Sequence, residues 1–235
     1  MMRTSGLVLL ALAGLLAAGP LARALEPQPR PDSKQKTPAG AARDYLDALE
    51  VKFTTNPAGE VTGAMVHCTS ELTDSDVALF RYFPKLEKLN IVGHEVTDAG
   101  LAHLKHLPEL QELILYREHF TEVGLAHLKD AKKLRRLTLT RAEPTDKGFE
   151  QLAGVKGLEH LTVSGQKITA VGLGHLKALP ALQTLSFRRT DFTDADARAF
   201  AGFPKLTKLQ LGQSRVTKAG LEKIREELPG VSVGN

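Results

Sequence analysis

The sequence predicts an α/β solenoid built from a 24-residue repeat, in which each repeat contributes one strand and one helix. Leucine recurs at this period between positions 86 and 211, and a second leucine column follows three residues behind the first. A threonine column with the same period opens the second half of each repeat. The first leucine column is Leu86, Leu110, Leu134, Leu158, Leu182 and Leu206, and the threonine column is Thr97, Thr121, Thr145, Thr169, Thr193 and Thr217. Self-similarity at a fixed period of this length is typical of a solenoid with one continuous core.

The first half of each repeat is predicted to be a strand that buries one side. Successive side chains of a strand point to opposite faces of the sheet, so we expect Leu113 and Leu115 in the core. Ile114 and Tyr116 then lie on the outer face. With a closing strand at 229–235, the sheet is expected to contain about seven to eight strands.

The second half of each repeat is predicted to be a helix that begins at the threonine. The threonine hydroxyl accepts a hydrogen bond from an orphan backbone N–H, and the aspartate that often follows suits the positive end of the helix dipole. Most repeats place glycine three residues after the threonine, at a cost of about 1 kcal/mol relative to alanine in a helix. We expect close approach of stacked helices to require this glycine. Where it is missing, Thr73 with Asp76 and Thr193 with Asp196 resemble capping boxes.

The chain is predicted to contain three segments of different composition. The first resembles a targeting leader, with Arg3 before a short apolar stretch and an A-x-A cleavage site ending at Ala24. It predicts export to the periplasm or the extracellular space. The second is rich in proline and predicted to be a disordered linker. The predicted boundaries are 1–24 for the leader, 25–40 for the linker and 41–235 for the repeat domain, divided into an N-terminal cap of one helix and one hairpin at 41–61, repeats at 62–228 and a closing segment at 229–235.

Composition argues against several classes of function. The formal net charge is +4, and without the two leader arginines the balance is 29 basic to 27 acidic side chains, which does not favour a nucleic-acid partner. No phosphate-binding glycine loop, nucleophile elbow or H-E-x-x-H motif occurs, so we predict no enzymatic activity and no cofactor. The single cysteine, Cys68, excludes an intramolecular disulfide. It is interpreted as a small hydrophobic residue, with an intermolecular disulfide as the alternative, and the protein is expected to be a monomer.

The repeat units resemble leucine-rich repeats, in particular the short VTDAGLxxL class found in tandem in bacterial exported proteins and similar to the cysteine-containing repeats of F-box proteins. Two of them read LEKLNIVGHEVTDAGLAHLKHLPE and LQELILYREHFTEVGLAHLKDAKK. The resemblance covers residues 61–235 and implies a right-handed solenoid with a concave parallel sheet, convex helices and a role in binding partners. One column departs from many such families, which place a ladder-forming Asn or Cys there. This column holds His94, Glu118, Ala142, Gln166, Thr190 and Ser214.

Three histidines of the predicted helices form a candidate metal site. His103 and His127 share a column, and His106 lies one turn from His103, so stacking would bring their imidazoles near one another. No cysteine or carboxylate completes a ligand set, and the HLK triplet recurs as part of the repeat. We therefore predict no metal site and leave the role of these histidines open.

The outer face of the sheet carries the strongest functional signal. An apolar patch that includes Val66, Cys68 and Ile114 is predicted at its N-terminal end, followed by a polar floor with arginines. Apolar anchors beside arginine suit a protein interface, because such side chains dominate binding energy when they are desolvated. The predicted partner-binding residues are Val92, Ile114, Tyr116, Arg117, Arg136, Arg141, His160 and Arg188.

These observations lead to the hypothesis of an exported, non-catalytic module that binds a protein on its concave sheet. Two alternatives remain open at this point. One is a polysaccharide or cell-envelope ligand on the floor of Arg, His and Thr side chains, and the other is a structural spacer without a specific ligand.

Overall fold

The computed structural model describes residues 37–66, 72–92, 95–116, 119–141, 145–165 and 168–235. The chain divides after Ala48 into two units. The described part of the first unit contains the helix Pro38–Ala48, whose apolar residues Ala42 and Leu46 are buried. The second unit, Leu49–Asn235, contains the repeats. Within the described ranges, no helix is long and apolar enough to cross a membrane.

The described part of the second unit contains one sheet of nine strands arranged in sequence order. β1 and β2 form an antiparallel hairpin, and each later strand pairs in parallel with the strand before it. The eight parallel strands agree with the number that the repeats predict, and β1 is the additional hairpin strand. The strands are β1 Lys52–Thr55, β2 Val61–Met65, β3 Lys88–Val92, β4 Glu112–Tyr116, β5 Arg136–Thr140, β6 His160–Ser164, β7 Thr184–Arg188, β8 Lys208–Gly212 and β9 Ser232–Gly234.

The register of the sheet follows the repeat, so that residues 24 apart lie side by side. Leu113 lies between Leu89 and Leu137, and all three are at most 1% exposed. Ile114, next to Leu113, is only half-buried, as expected for the opposite face. The prediction of inward leucines and an outward column is therefore confirmed.

The outward position of Val66 was predicted wrongly. Met65 pairs with Asn90 of β3, so Val66 falls in the inward column and is 1% exposed. A shift of one residue moves every side chain of a strand to the other face. Met65, at 48% exposure, takes the outer position. Cys68 lies outside the described residues.

Each described repeat continues from its strand into a short helix that begins at the threonine. Several of these helices tighten into 3-10 geometry, in which side chains three residues apart align. This geometry suits leucines spaced three apart, such as Leu101, Leu104 and Leu107, which are all buried. The α-helices are Asp74–Val77, Asp98–Leu101, Glu122–Ala126, Asp146–Leu152, Ala170–Leu176 and Lys218–Glu227, and the 3-10 helices are Ala78–Tyr82, Ala102–His106, His127–Asp130 and Asp194–Phe200.

An aspartate–threonine bridge connects neighbouring repeats. The Asp98 carboxylate accepts hydrogen bonds from the backbone N–H and the hydroxyl of Thr121 in the next repeat, each at 2.7 Å. Asp74, Asp146 and Asp194 make the same pair of bonds to Thr97, Thr169 and Thr217. Donation by the Thr217 hydroxyl and backbone N–H holds the pKa of Asp194 below its ordinary value. At these four helices the bridge caps the entry with a carboxylate from the preceding repeat.

The bridge also explains four of the five glycines of the column. A Cβ added to Gly100 would lie 2.5 Å from Asp74 Oδ1, and the aspartate of the preceding repeat is likewise the first contact at Gly124, Gly172 and Gly220. The expected close approach of stacked helices is confirmed, because each of these aspartates is the first residue of the neighbouring helix. The nearest atom is the carboxylate oxygen that caps the threonine, which the sequence did not indicate.

The two capping boxes predicted from the sequence are confirmed. Asp76 Oδ2 accepts from the backbone N–H and the hydroxyl of Thr73, and Asp196 does the same for Thr193. In the repeat before Thr193, Ala170 occupies the position of the bridging aspartate, so no carboxylate reaches Thr193 from that position. Four threonines are therefore capped by an aspartate of the preceding repeat, together with a glycine, and Thr73 and Thr193 by an aspartate of their own helix. Thr145 is different, because Glu122 stands in the preceding repeat, and its hydroxyl accepts from Gly148 N at 3.4 Å.

The described members of the polar column do not form a ladder. The Ser214 hydroxyl donates to the Leu211 carbonyl at 3.0 Å and accepts from Val216 N at 3.3 Å. The Thr190 hydroxyl is buried without a hydrogen-bond partner among the described residues. The Asp–Thr bridges therefore supply the polar connection between these repeats that an Asn ladder would supply in the families that have one.

We predict that Leu137→Ala lowers the free energy of unfolding by about 2–5 kcal/mol, because it leaves a cavity in the middle of the core. Leu137 is 1% exposed and central in the sheet. Thr138→Ala on the opposite face of β5 serves as the control, with an expected change within about 0.5 kcal/mol. Urea denaturation measures both. A small loss for Leu137→Ala would contradict the assignment of the inward face.

Two glycines of one helix provide a matched test of the bridge. Gly172→Ala places a methyl group against Asp146 and should cost about 1–3 kcal/mol by displacing a carboxylate that accepts two hydrogen bonds. Gly174→Ala enters open space and should stabilise the protein by about 0.4–1 kcal/mol. The double variant Asp146→Ala, Gly172→Asp converts the bridge into a capping box and should recover most of the loss. Equal stabilities for Gly172→Ala and Gly174→Ala would refute the carboxylate explanation of the glycine column.

Candidate binding face of the sheet

The outer face of the sheet holds the described members of the predicted binding set. Val92, Ile114, Tyr116, Arg136, His160 and Arg188 occupy outward positions of strands β3 to β7. Arg141 follows β5 directly, and Arg117 lies outside the described residues. These side chains do not form one cluster. They divide between the two ends of the strands and between two depressions in the face.

The first depression, here called the apolar depression, lies over β1 to β4. It has a volume of about 170 Å³, and its lining includes Met65, Asn90 and Ile114. Met65 is the large apolar residue that the sequence prediction missed, because Val66 was assigned its place. Met65 and Ile114 thus bring apolar side chains to the outer face at this end of the sheet, one on each side of Asn90.

Charges at the N-terminal ends of the strands compensate one another. The Glu112 carboxylate lies between Lys88 Nζ at 3.7 Å and Arg136 Nη1 at 4.0 Å. His160 is the register neighbour of Arg136 on β6, at the same end of the strands. Arg136 and His160 thus lie apart from the other predicted arginines, and Arg136 already has a carboxylate partner.

The second depression, here called the arginine pocket, lies at the C-terminal ends of β4 to β8 and has a volume of about 350 Å³. Three arginines line it, Arg141, Arg188 and Arg189. The Tyr116 ring lies at one side, and the Arg141 guanidinium carbon is 5.5 Å from the centroid of this ring. Hydroxyl groups also line the pocket, those of Thr138, Thr140, Thr162 and Ser164.

An unusual backbone conformation recurs around the arginine pocket. Arg141, Arg189 and Gln213 occupy the same position of three repeats, immediately after the strand, with φ values of 56°, 54° and 57°. Residues other than glycine rarely adopt this left-handed region, and such positions cluster at functional sites. All three side chains line the pocket. The turn after each of these strands therefore brings its long polar side chain to the same place.

Neighbouring residues hold the arginines of the pocket. Arg189 Nε donates to Gln213 Oε1 at 3.1 Å. Arg188 lies beside Gly212 on the next strand, where a Cβ would lie 3.6 Å from Arg188 Cγ. The preceding residue, Phe187, is fully buried with its ring 5.3 Å from that of Phe192, so the end of β7 is anchored in the core.

Sequence reasoning selected Arg141 and Arg188 but missed Arg189 and Gln213. Their signal was present, because Arg189 lies 48 residues and Gln213 lies 72 residues after Arg141, which are whole numbers of repeats. The left-handed conformation of these residues, which turns them into the pocket, is not visible in the sequence pattern.

The three histidines of the convex side do not form a metal centre in the described structure. Across the described ranges, no group of three or more His, Cys, Asp or Glu side chains is placed to hold a metal ion. Burial lowers the pKa of His103, and the nearby His106 and Arg81 charges act in the same direction. The described residues on the helical side therefore give no candidate metal site to set beside the depressions on the outer face of the sheet.

Comparison with known proteins identifies the fold. Two family models described as leucine-rich repeat match residues 156–216 and 84–107. No curated protein matches the chain in sequence.

Among solved structures, the chain is similar to two internalins of Listeria monocytogenes. One internalin (inlF) has a TM-score of 0.52 and 18% identity, over 68% of this chain and 44% of its own length. Internalin C2 has a TM-score of 0.52 and 16% identity, over 86% of this chain and 97% of its own length. The chain thus spans less than half of the first internalin. With the 24-residue register of its sheet, these matches show that the repeats fold as an open leucine-rich-repeat solenoid.

Proposed function

We propose that the chain is a non-catalytic interaction module that binds a protein partner on the outer face of its sheet. The observation that carries this proposal is the meeting of the apolar depression and the arginine pocket on β4. Ile114 lines the former and Tyr116, two residues later, lines the latter. Exposed apolar and aromatic side chains beside arginine are the composition of binding hot spots.

The form of the face supports a partner larger than a small metabolite. The two depressions lie over strands β1 to β8, on a face of the sheet whose strands present half-buried side chains in every repeat. Solenoids use such extended surfaces to contact long stretches of a partner. A protein with alternating apolar and polar groups matches this surface better than a compact ligand does.

Two further assignments belong to the same proposal. The leader predicted at 1–24 would carry the protein to the periplasm or the extracellular space, so the partner is sought among exported and envelope proteins. The repeats would belong to the short VTDAGLxxL class. In the VTDAGLxxL motif, the threonine and the aspartate form the inter-repeat bridges and the glycine leaves room for the carboxylate. In one repeat of this chain these residues are Thr97, Asp98 and Gly100.

A glycan is the second candidate ligand, and the hydroxyl groups of the arginine pocket favour it. Thr138, Thr140, Thr162 and Ser164 offer both donors and acceptors at short spacing, as a surface that binds sugar hydroxyls does. A glycan would use the pocket and would have little need of the apolar depression. Substitutions in the two depressions therefore separate the candidates.

We predict that Ile114→Glu weakens capture of the protein partner about tenfold or more, because it places a charge in an apolar contact region. The measurement is affinity capture from envelope extracts of the source cells, with quantification of each retained protein. Lys208→Glu introduces the same side chain at an exposed outer position of β8 and should leave capture within about twofold, as a charge at the rim does.

Capture that is equal for Ile114→Glu and Lys208→Glu would contradict a protein interface at the apolar depression. Retention of carbohydrate that is insensitive to Ile114→Glu but lost with Arg188→Glu would favour the glycan. Thermal unfolding of each variant shows that the fold is intact.

A further inference from the structure

We propose that the arginine pocket is a carboxylate site, which receives an acidic side chain from an extended segment of the protein partner while a neighbouring apolar side chain enters the apolar depression. This inference rests on the proposed function and names the chemistry of the partner segment. It treats Arg188 and Arg189 as the principal ligands, with Arg141 beside them.

Uncompensated positive charge is the first argument. The three arginines of the arginine pocket share a space that no described acidic residue lines, and none of the three forms an ion pair with a carboxylate of the described chain. The opposite ends of the strands are different, because Glu112 lies between Lys88 and Arg136 there. A partner carboxylate would thus find three arginines without an ion pair gathered in one pocket of the described sheet.

Preorganisation is the second argument. Gln213 orients Arg189, the Tyr116 ring lies beneath Arg141, and Arg188 projects over Gly212 from an anchored strand. Guanidinium groups that are already held lose less conformational freedom when they bind. Two parallel N–H···O bonds from one arginine to one carboxylate give charge-assisted, directional recognition.

The position of the apolar depression is the third argument, and it favours a peptide over an anionic sugar. Ile114 lies on β4 and Arg188 on β7, so three strand spacings of about 4.8 Å, roughly 14 Å across the sheet, separate the two. An extended peptide rises about 3.3 Å per residue and presents every second side chain on the same face. A segment that crosses the strands, with an apolar residue and an acidic residue about four positions apart, therefore reaches both depressions at once. A sulfate or phosphate ester on a glycan would leave the apolar depression unused.

The test uses the purified full chain and small probes, so that it needs no knowledge of the partner. The arginine Nε–Hε signals are followed by NMR during titration with glutarate, with sodium chloride as the control for ionic strength. We expect saturable shifts for Arg188 and Arg189.

Arg188→Gln and Arg189→Gln should each weaken glutarate binding about tenfold, which corresponds to the loss of one charge-assisted hydrogen bond. Arg136→Gln removes an arginine that already has a carboxylate partner and should leave the affinity within about twofold.

Inorganic sulfate forms the second arm of the titration. Sulfate that binds as tightly as glutarate would overturn the carboxylate assignment in favour of an ester anion. The absence of saturable shifts with either probe, or equal effects of Arg136→Gln and Arg188→Gln, would overturn the site itself. Because glutarate titration and partner capture are independent measurements, sensitivity of capture to Ile114→Glu without glutarate binding would leave the interface standing and remove only this inference.

Discussion

The hydrogen bonds from an aspartate to the threonine of the next repeat are the interaction on which the regularity of this protein depends. The threonine opens a helix, and its backbone N–H has no partner within that helix. A carboxylate from the preceding repeat satisfies both this N–H and the hydroxyl, as Asp98 does for Thr121. One side chain thus fixes the start of a helix and its position relative to the repeat before it. The glycine column follows, because a Cβ would occupy the space of the carboxylate.

Because the repeats stack regularly, residues at the same position of successive repeats lie next to one another on the same face of the sheet. Since residues 24 apart lie side by side in the sheet, the inward leucines form one core and the outward residues form one face. Departures from the repeat then create local features. Met65 and Ile114 give an apolar depression at one end of the face. At the C-terminal ends of the strands, Arg188 and the two residues that follow strands, Arg141 and Arg189, line one pocket. The candidate function resides in these departures, whereas the repeat supplies the scaffold.

Most of the fold could be predicted from the sequence, because periodic leucines and threonine caps depend on local chemistry. The strands, the capping boxes at Thr73 and Thr193 and the closing strand β9 lie where the sequence places them. The Asp–Thr bridge was not predicted, since it joins residues that only stacking brings together. Val66 was misassigned because the first repeat lacks the leucine pattern that sets the register elsewhere.

The binding face was predicted only in part, for a related reason. The outward columns were correct, but Arg136 and Arg188 carry the same charge and differ in their surroundings. A neighbouring carboxylate compensates one, while the other faces a pocket without described acidic residues. Pairing of this kind depends on side-chain positions across several strands, and the left-handed turn at Arg189 adds a residue that periodicity alone did not select.

A double-mutant cycle with Asp98→Ala and Thr121→Val tests the central claim, that a carboxylate of one repeat caps the next, most directly. Urea denaturation gives the free energy of unfolding for the four proteins. If the bridge joins the repeats, the two substitutions are coupled by about 1 kcal/mol or more. Either substitution alone breaks the hydrogen bond between the two side chains, so the second costs less once the first has been made. Additive effects would show that the two residues stabilise their own helices independently, and would contradict the account.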